Sequence, residues 1–183
     1  MEYWIGPVCQ HFIPPSIQPV FIMKFIADSM LGRLARWLRL LGHDTLYFPS
    51  IEDSLLLRIA REEKRTLLTR DTRLVKVRGL KDYLLLREND PFRQLKLVIT
   101  SFSLIPSNKP LETVLSPQIS RCSLCNAVLE HISKEEAGTG IPEYVRMTVD
   151  SIRKCPRCDK YYWEGTHQDR MKKKLMDVLR PHL

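Results

Sequence analysis

From residue 23 onward, apolar and polar positions fall into blocks whose period switches back and forth between that of a strand and that of a helix. Phe25-Ile26-Ala27 is a short apolar run that stops at Asp28. A strongly helical stretch follows from Leu31 to Leu41, carrying Leu34, Trp37, Leu38 and Leu41, and Gly42 is its stop signal. Thr45 to Phe48 is a second β-rich run, closed by Pro49 and Ser50. After a polar opening at 50–54, Leu55, Leu56, Ile59 and Ala60 are spaced for one helical face, with Glu62, Glu63, Lys64 and Arg65 beyond. Thr66-Leu67-Leu68-Thr69 is a buried-strand signal that again ends in a carboxylate, Asp71. Tyr83 to Leu86 makes a fourth strand, and Asp90-Pro91 opens a helix through about Phe102. The order strand, helix, strand, helix, strand, strand, helix describes an α/β sandwich with a mainly parallel sheet.

Outside this block the pattern is lost. Residues 1–22 contain Pro7, Pro14, Pro15 and Pro19 without periodicity and read as a flexible extension, with Met23 as a second candidate start. Residues 105–119 hold Pro106, Pro110 and Pro117 and read as a linker between a domain at 23–104 and a second module at 120–167. A basic helix is expected over 168–183, with Arg170, Lys172, Lys173 and Lys174.

Length and composition sharpen this layout. A chain of 183 residues accommodates a domain of about 100 residues plus a small metal module. A hydrophobic content of 44% with three Trp excludes wholesale disorder. Lys and Arg outnumber Asp and Glu by 29 to 21, a net charge of +8, which favours a polyanionic partner: nucleic acid first, an anionic membrane second. No run approaches the roughly 18–20 apolar residues of a membrane helix. The first residues lack a basic n-region and are broken by proline, which argues against a signal peptide. A soluble, cytoplasmic protein is the expectation.

Four of five cysteines form two C-x-x-C pairs, Cys122/Cys125 and Cys155/Cys158, with Cys9 left over. Each pair puts two thiolates on one tight turn, and four soft ligands in a tetrahedron suit a structural Zn²⁺ with no open coordination position. The 29 residues between the pairs, 126 to 154, exceed the common spacing, so the ribbon should carry an extended loop at 138–142.

The carboxylates suggest a second chemistry. Open α/β sheets bind ligands beyond the carboxyl ends of their strands. In a parallel sheet Asp28 and Asp71 emerge at the same edge, Asp53 lies in the first turn of the next helix, and Asp90 caps the last helix. Converging like charges call for a divalent cation, and Mg²⁺ or Mn²⁺ takes such oxygen ligands. Arg33 and Arg36, one turn after Asp28, are placed to bind phosphates, and Arg70 and Arg73 add to that surface.

These residues resemble a known family. The run Phe25 to Gly42 (FIADSMLGRLARWLRLLG), Leu67 to Asp71 (LLTRD), the cysteine pairs and Tyr162 to His167 (YWEGTH) are similar to the C-terminal ribonuclease domain of the mutator-seven exonuclease family, over about Met23 to Leu179. The resemblance implies a PIN-like nuclease domain followed by a zinc ribbon, and a metal-dependent ribonuclease. It matches Asp28 and Asp71 to the acidic strand ends, Asp53 to the helix carboxylate, and Asp90 to the fourth acidic position. RNA is the expected partner. A non-catalytic RNA- or ribosome-binding module of the same fold is the alternative, distinguished by its indifference to the three aspartates.

Overall fold

In the computed structural model the described residues are 22–104 and 120–163, with Gly165, Lys173, Lys174, Met176 and Asp177. The first unit runs β1 (Lys24–Ala27), a single 3₁₀ turn (Ser29–Leu31), α1 (Gly32–Leu40), β2 (Asp44–Tyr47), α2 (Asp53–Glu62), β3 (Thr66–Thr69), β4 (Tyr83–Leu85) and α3 (Pro91–Phe102). All four strands are parallel, in the order β2-β1-β3-β4. The sheet is therefore the parallel one that the alternation of periods implies.

Each helix end has a local cause. Asp90 caps α3 by accepting from the Phe92 and Arg93 amides, with Pro91 at the first helical position. Gly42, at φ 89°, ends α1: its amide donates to the Arg39 carbonyl and the His43 amide donates to that of Leu38, the paired bonds of a Schellman stop. Lys64 and Ser103, at φ 51° and 48°, close α2 and α3 in the same left-handed conformation without being glycine.

Because side chains alternate across a strand, β1 and β3 feed two separate cores. Phe25, Ala27 and Leu68 pack with Leu34, Leu38 of α1 and Leu95, Val98 of α3, while Ile26 and Leu67 pack with Leu56, Leu57 and Ala60 of α2. The result is three layers, with α1 and α3 on one face and α2 on the other. Leu55, expected on the buried face of α2, is 37% exposed, and Leu57 takes its place inside.

The second unit is an antiparallel meander of β5 (Glu130–Ile132), β6 (Ile152–Lys154) and β7 (Tyr161–Trp163). The expected extended loop between the cysteine pairs is instead largely helical: α4 (Lys134–Ala137), a 3₁₀ turn (Gly138–Gly140) and α5 (Glu143–Thr148). Ser133 and Glu136 form a capping box that starts α4, and Ala137, Ile141 and Val145 bury against Ile152. This small apolar cluster takes the place of the loop expected from Gly138 and Gly140. Lys173, Lys174, Met176 and Asp177 are helical; the rest of the expected basic helix, the N-terminal extension, the linker and His167 lie outside the described residues.

Candidate active site and four-cysteine centre

The chain leaves β1 toward β2 on one side and returns to β3 on the other, so the carboxyl ends of β1 and β3 flank the crevice where the sheet changes winding direction. Asp28 and Asp71 follow these two strands. Asp28 is buried, at 8% exposure. One of its oxygens accepts from the Ser29 amide at 2.6 Å, and the other from the Thr69 hydroxyl at 2.8 Å. The same hydroxyl accepts from the Asp71 amide at 2.9 Å. Thr69, fully buried, thus connects the two strand ends through one oxygen atom.

The Asp71 carboxylate is turned to Arg73, accepting from its amide at 2.7 Å and from its Nη2 at 3.1 Å. The Arg73 guanidinium holds the Asp71 carboxyl below its ordinary range. Arg73 is itself 89% exposed, so water screens the pair. Asp53 is exposed at the start of α2, and its charge adds to Asp71 in raising the Arg73 pKa. Arg73 therefore stands in the field of both carboxylates. Asp90 spends its Oδ1 on the first turn of α3. Among the described residues Asp28, Asp53 and Asp71 do not form a group with donor atoms all within 4.8 Å, as the four cysteines do.

Beside Asp28 a cleft of about 480 Å³ opens, lined by Arg33, Arg36, Arg70, Tyr47, Asn89 and Gln94 among others. Three of the four expected substrate arginines share it; Arg73 does not line it. Arg70 reaches the cleft because Thr69 points inward and its successor outward, and its Nη2 donates to Asn89 Oδ1. Gly32 at the start of α1 leaves room for Tyr47: a Cβ there would lie 2.7 Å from the ring, whose hydroxyl donates to the Ser29 carbonyl.

The four cysteines converge as expected. Their Sγ separations include 3.4 Å for Cys122–Cys158, 3.3 Å for Cys125–Cys155 and 3.8 Å for Cys125–Cys158. A tetrahedron with Zn–S bonds of about 2.3 Å has edges of about 3.8 Å, so the donor set fits one zinc ion. Both pairs use one turn: the Asn126 amide donates to the Cys122 carbonyl and the Asp159 amide to the Cys155 carbonyl, with Asn126 and Asp159 at positive φ. Burial opposes ionisation of Cys122, but the Tyr162 hydroxyl and the Cys125 and Leu124 amides outweigh it and pull its pKa down to about 6. Burial and the neighbouring Cys122 and Cys155 sulfurs push Cys158 up to about 12.

The first knuckle is bolted to the α/β unit. Arg39, buried in α1, donates through Nη1 to the carbonyls of Ser123 and Leu124, and through Nε to that of Thr45. Asn126 accepts from the Thr45 amide and donates to Asp44, which pairs with the buried Arg65. Arg39, Thr69, Asn126 and Tyr162 are contributors that sequence reasoning missed. For Arg39 a signal existed. Each step of three along a helix falls about 60° short of a turn, so a series beginning at Arg33 rotates off the solvent face by its third member.

A doubly wound parallel sheet with acidic strand ends and an arginine-lined cleft, joined to a ribbon with four converging cysteines, defines the class as a three-layer α/β sandwich with a zinc-ribbon-like second unit. The family model of the Mut7-C RNAse domain matches residues 23–175, and the chain belongs to that family. No curated protein and no solved structure gave a match. The family carries a nuclease-type function, and among the described residues no helix is long and apolar enough to cross a membrane.

Proposed function

We propose that this protein is a metal-dependent ribonuclease that hydrolyses RNA phosphodiester bonds in the cytoplasm, with residues 23–104 as its nuclease domain and the ribbon at 120–167 joined to it by the linker 105–119. The observation that carries the reading is the single hydroxyl of Thr69 tying the Asp28 carboxylate to the Asp71 backbone across two neighbouring strand ends. Hard carboxylate oxygens suit Mg²⁺ or Mn²⁺, and Asp28 and Asp71 would hold it, with Asp53 as the third carboxylate. Such an ion, when bound, supplies Lewis-acid activation of water and offsets charge on the phosphate.

The chain's own residues have distinct tasks. Thr69 and the Ser29 amide fix the direction in which Asp28 presents its remaining lone pairs. Arg73, exposed and screened, pairs with Asp71 and withdraws at little cost when another cation competes. Arg33, Arg36 and Arg70 grip the RNA backbone by charge-assisted bonds, and the ribbon adds a second surface for RNA.

The test is cleavage of single-stranded RNA in Mn²⁺ by wild type, Asp28→Asn and Asp71→Asn. Each variant should lose about a hundredfold or more in rate, the usual effect of removing one group that stabilises charge in the transition state. Equal rates with intact, salt-sensitive RNA binding would overturn the enzyme and leave a non-catalytic RNA- or ribosome-binding module.

A further inference from the structure

The three arginines of the cleft outnumber what an internal RNA linkage requires. Arg33, Arg36 and Arg70 all line it, and none of its lining residues is acidic. None of the three takes part in an ion pair among the described residues, although Arg73, Arg65 and Arg93 nearby in the chain all do. The Arg70 Nη2 is spent on Asn89, while its Nε is buried without a partner among the described residues.

Three neutral polar side chains of the cleft are engaged within the protein. The Tyr47 hydroxyl donates to the Ser29 carbonyl, Gln94 to the Glu88 carbonyl, and the Ser29 hydroxyl to Asp28. The charged donors left for a ligand are the guanidiniums, with the Asn89 amide beside them. An internal phosphodiester carries one negative charge, whereas a phosphate monoester carries about −1.5 to −2 at pH 7 with three strong acceptor oxygens. Three guanidiniums without a carboxylate match the second. The volume, about 480 Å³, lies within the roughly 300–1,000 Å³ of small-ligand sites and exceeds what a bare phosphate fills. A nucleotide with its terminal phosphate fits both the charge and the space.

We infer that the Arg33–Arg36–Arg70 cleft is a receptor for the phosphorylated end of an RNA chain. The inference rests on the ribonuclease reading for its substrate class. It adds that the end is recognised by its phosphate monoester. Ser29 belongs to the wall of the cleft and follows Asp28 directly, so a terminal nucleotide seated there brings the adjoining linkage toward the carboxylates.

The experiment measures binding of a short fluorescent single-stranded RNA to the full chain in the absence of divalent ions, so that no cleavage is needed. The same oligomer is presented with a 5′-phosphate, a 3′-phosphate or hydroxyls at both ends. One phosphorylated form should bind at least about tenfold more tightly than the hydroxyl form, the effect of one or two added charge-assisted bonds, and which form does so gives the polarity. Arg70→Gln should bring that ratio close to one, while a nucleoside monophosphate should compete and the nucleoside should not. Equal affinity for all three oligomers overturns the inference and leaves the cleavage reading standing. A clear end preference without cleavage in Mn²⁺ keeps the receptor and removes the nuclease.

Discussion

At the scale of single residues, His43 couples the fold to pH. Burial, reinforced by the Arg121 charge, holds its imidazole down at about 4, and Nδ1 accepts from the Met23 amide, a bond that protonation there would break. An unfolded histidine titrates near 6.5, so between pH 6.5 and 4 the unfolded chain binds a proton that the folded chain refuses. Stability is full above that window, falls as pH drops through it by about 3 kcal/mol, and loses nothing further from this group below it. Urea titrations at steps from pH 7 to pH 4 should show the slope in wild type and its loss in His43→Gln. Asp44 acts lower: burial opposes its ionisation, but Arg65 and Asn126 outweigh this and depress its pKa, so its contribution vanishes only as pH falls through that depressed value.

What was legible at this scale follows from distance along the chain. Asp28 and Asp71 announced themselves because an acidic residue within a few positions of the end of an apolar run is a local signal. Thr69 did not, since its second partner lies 41 residues away. The cysteines were legible as two local pairs, while the role of Asn126, spread over contacts 81 and 82 residues distant, was not.

At the scale of elements, the helix stops separate two kinds of left-handed residue. Gly42→Ala places a Cβ at φ 89° and should cost about 1–2 kcal/mol. Lys64→Gly relieves the same strain at φ 51° and should stabilise, by up to about 1 kcal/mol after the added chain entropy of glycine. Opposite shifts of the denaturation midpoint with an unchanged slope are the expected outcome. The end of α1 was readable from its glycine. The ends of α2 and α3 use Lys64 and Ser103, whose identities carry little conformational signal, while the turns after each cysteine pair use Asn126 and Asp159, of the types that adopt this conformation most readily after glycine.

At the scale of the whole molecule, the four-cysteine centre and the α/β unit are coupled through α1. The helix begins beside Asp28 and the arginine cleft, and its other end carries Arg39, whose guanidinium depends on two knuckle carbonyls. Zinc removal loosens the knuckle and strands a buried cation, at a cost of about 1–3 kcal/mol per bond left unmade. One zinc per chain should be found by elemental analysis. Chelation should lower a single thermal transition seen by both far-ultraviolet dichroism and tryptophan fluorescence. Two transitions, with the α/β unit melting as before, would show that the knuckle gives it no support.

The contact at Thr45 reaches beyond stability. β2 is an outer strand, and both backbone groups of its Thr45 that face away from the sheet are occupied, the amide by Asn126 and the carbonyl by Arg39. A foreign strand approaching from that side meets two side chains where it would need free ladder groups. Strand addition at the Thr45 position of this edge is thereby opposed.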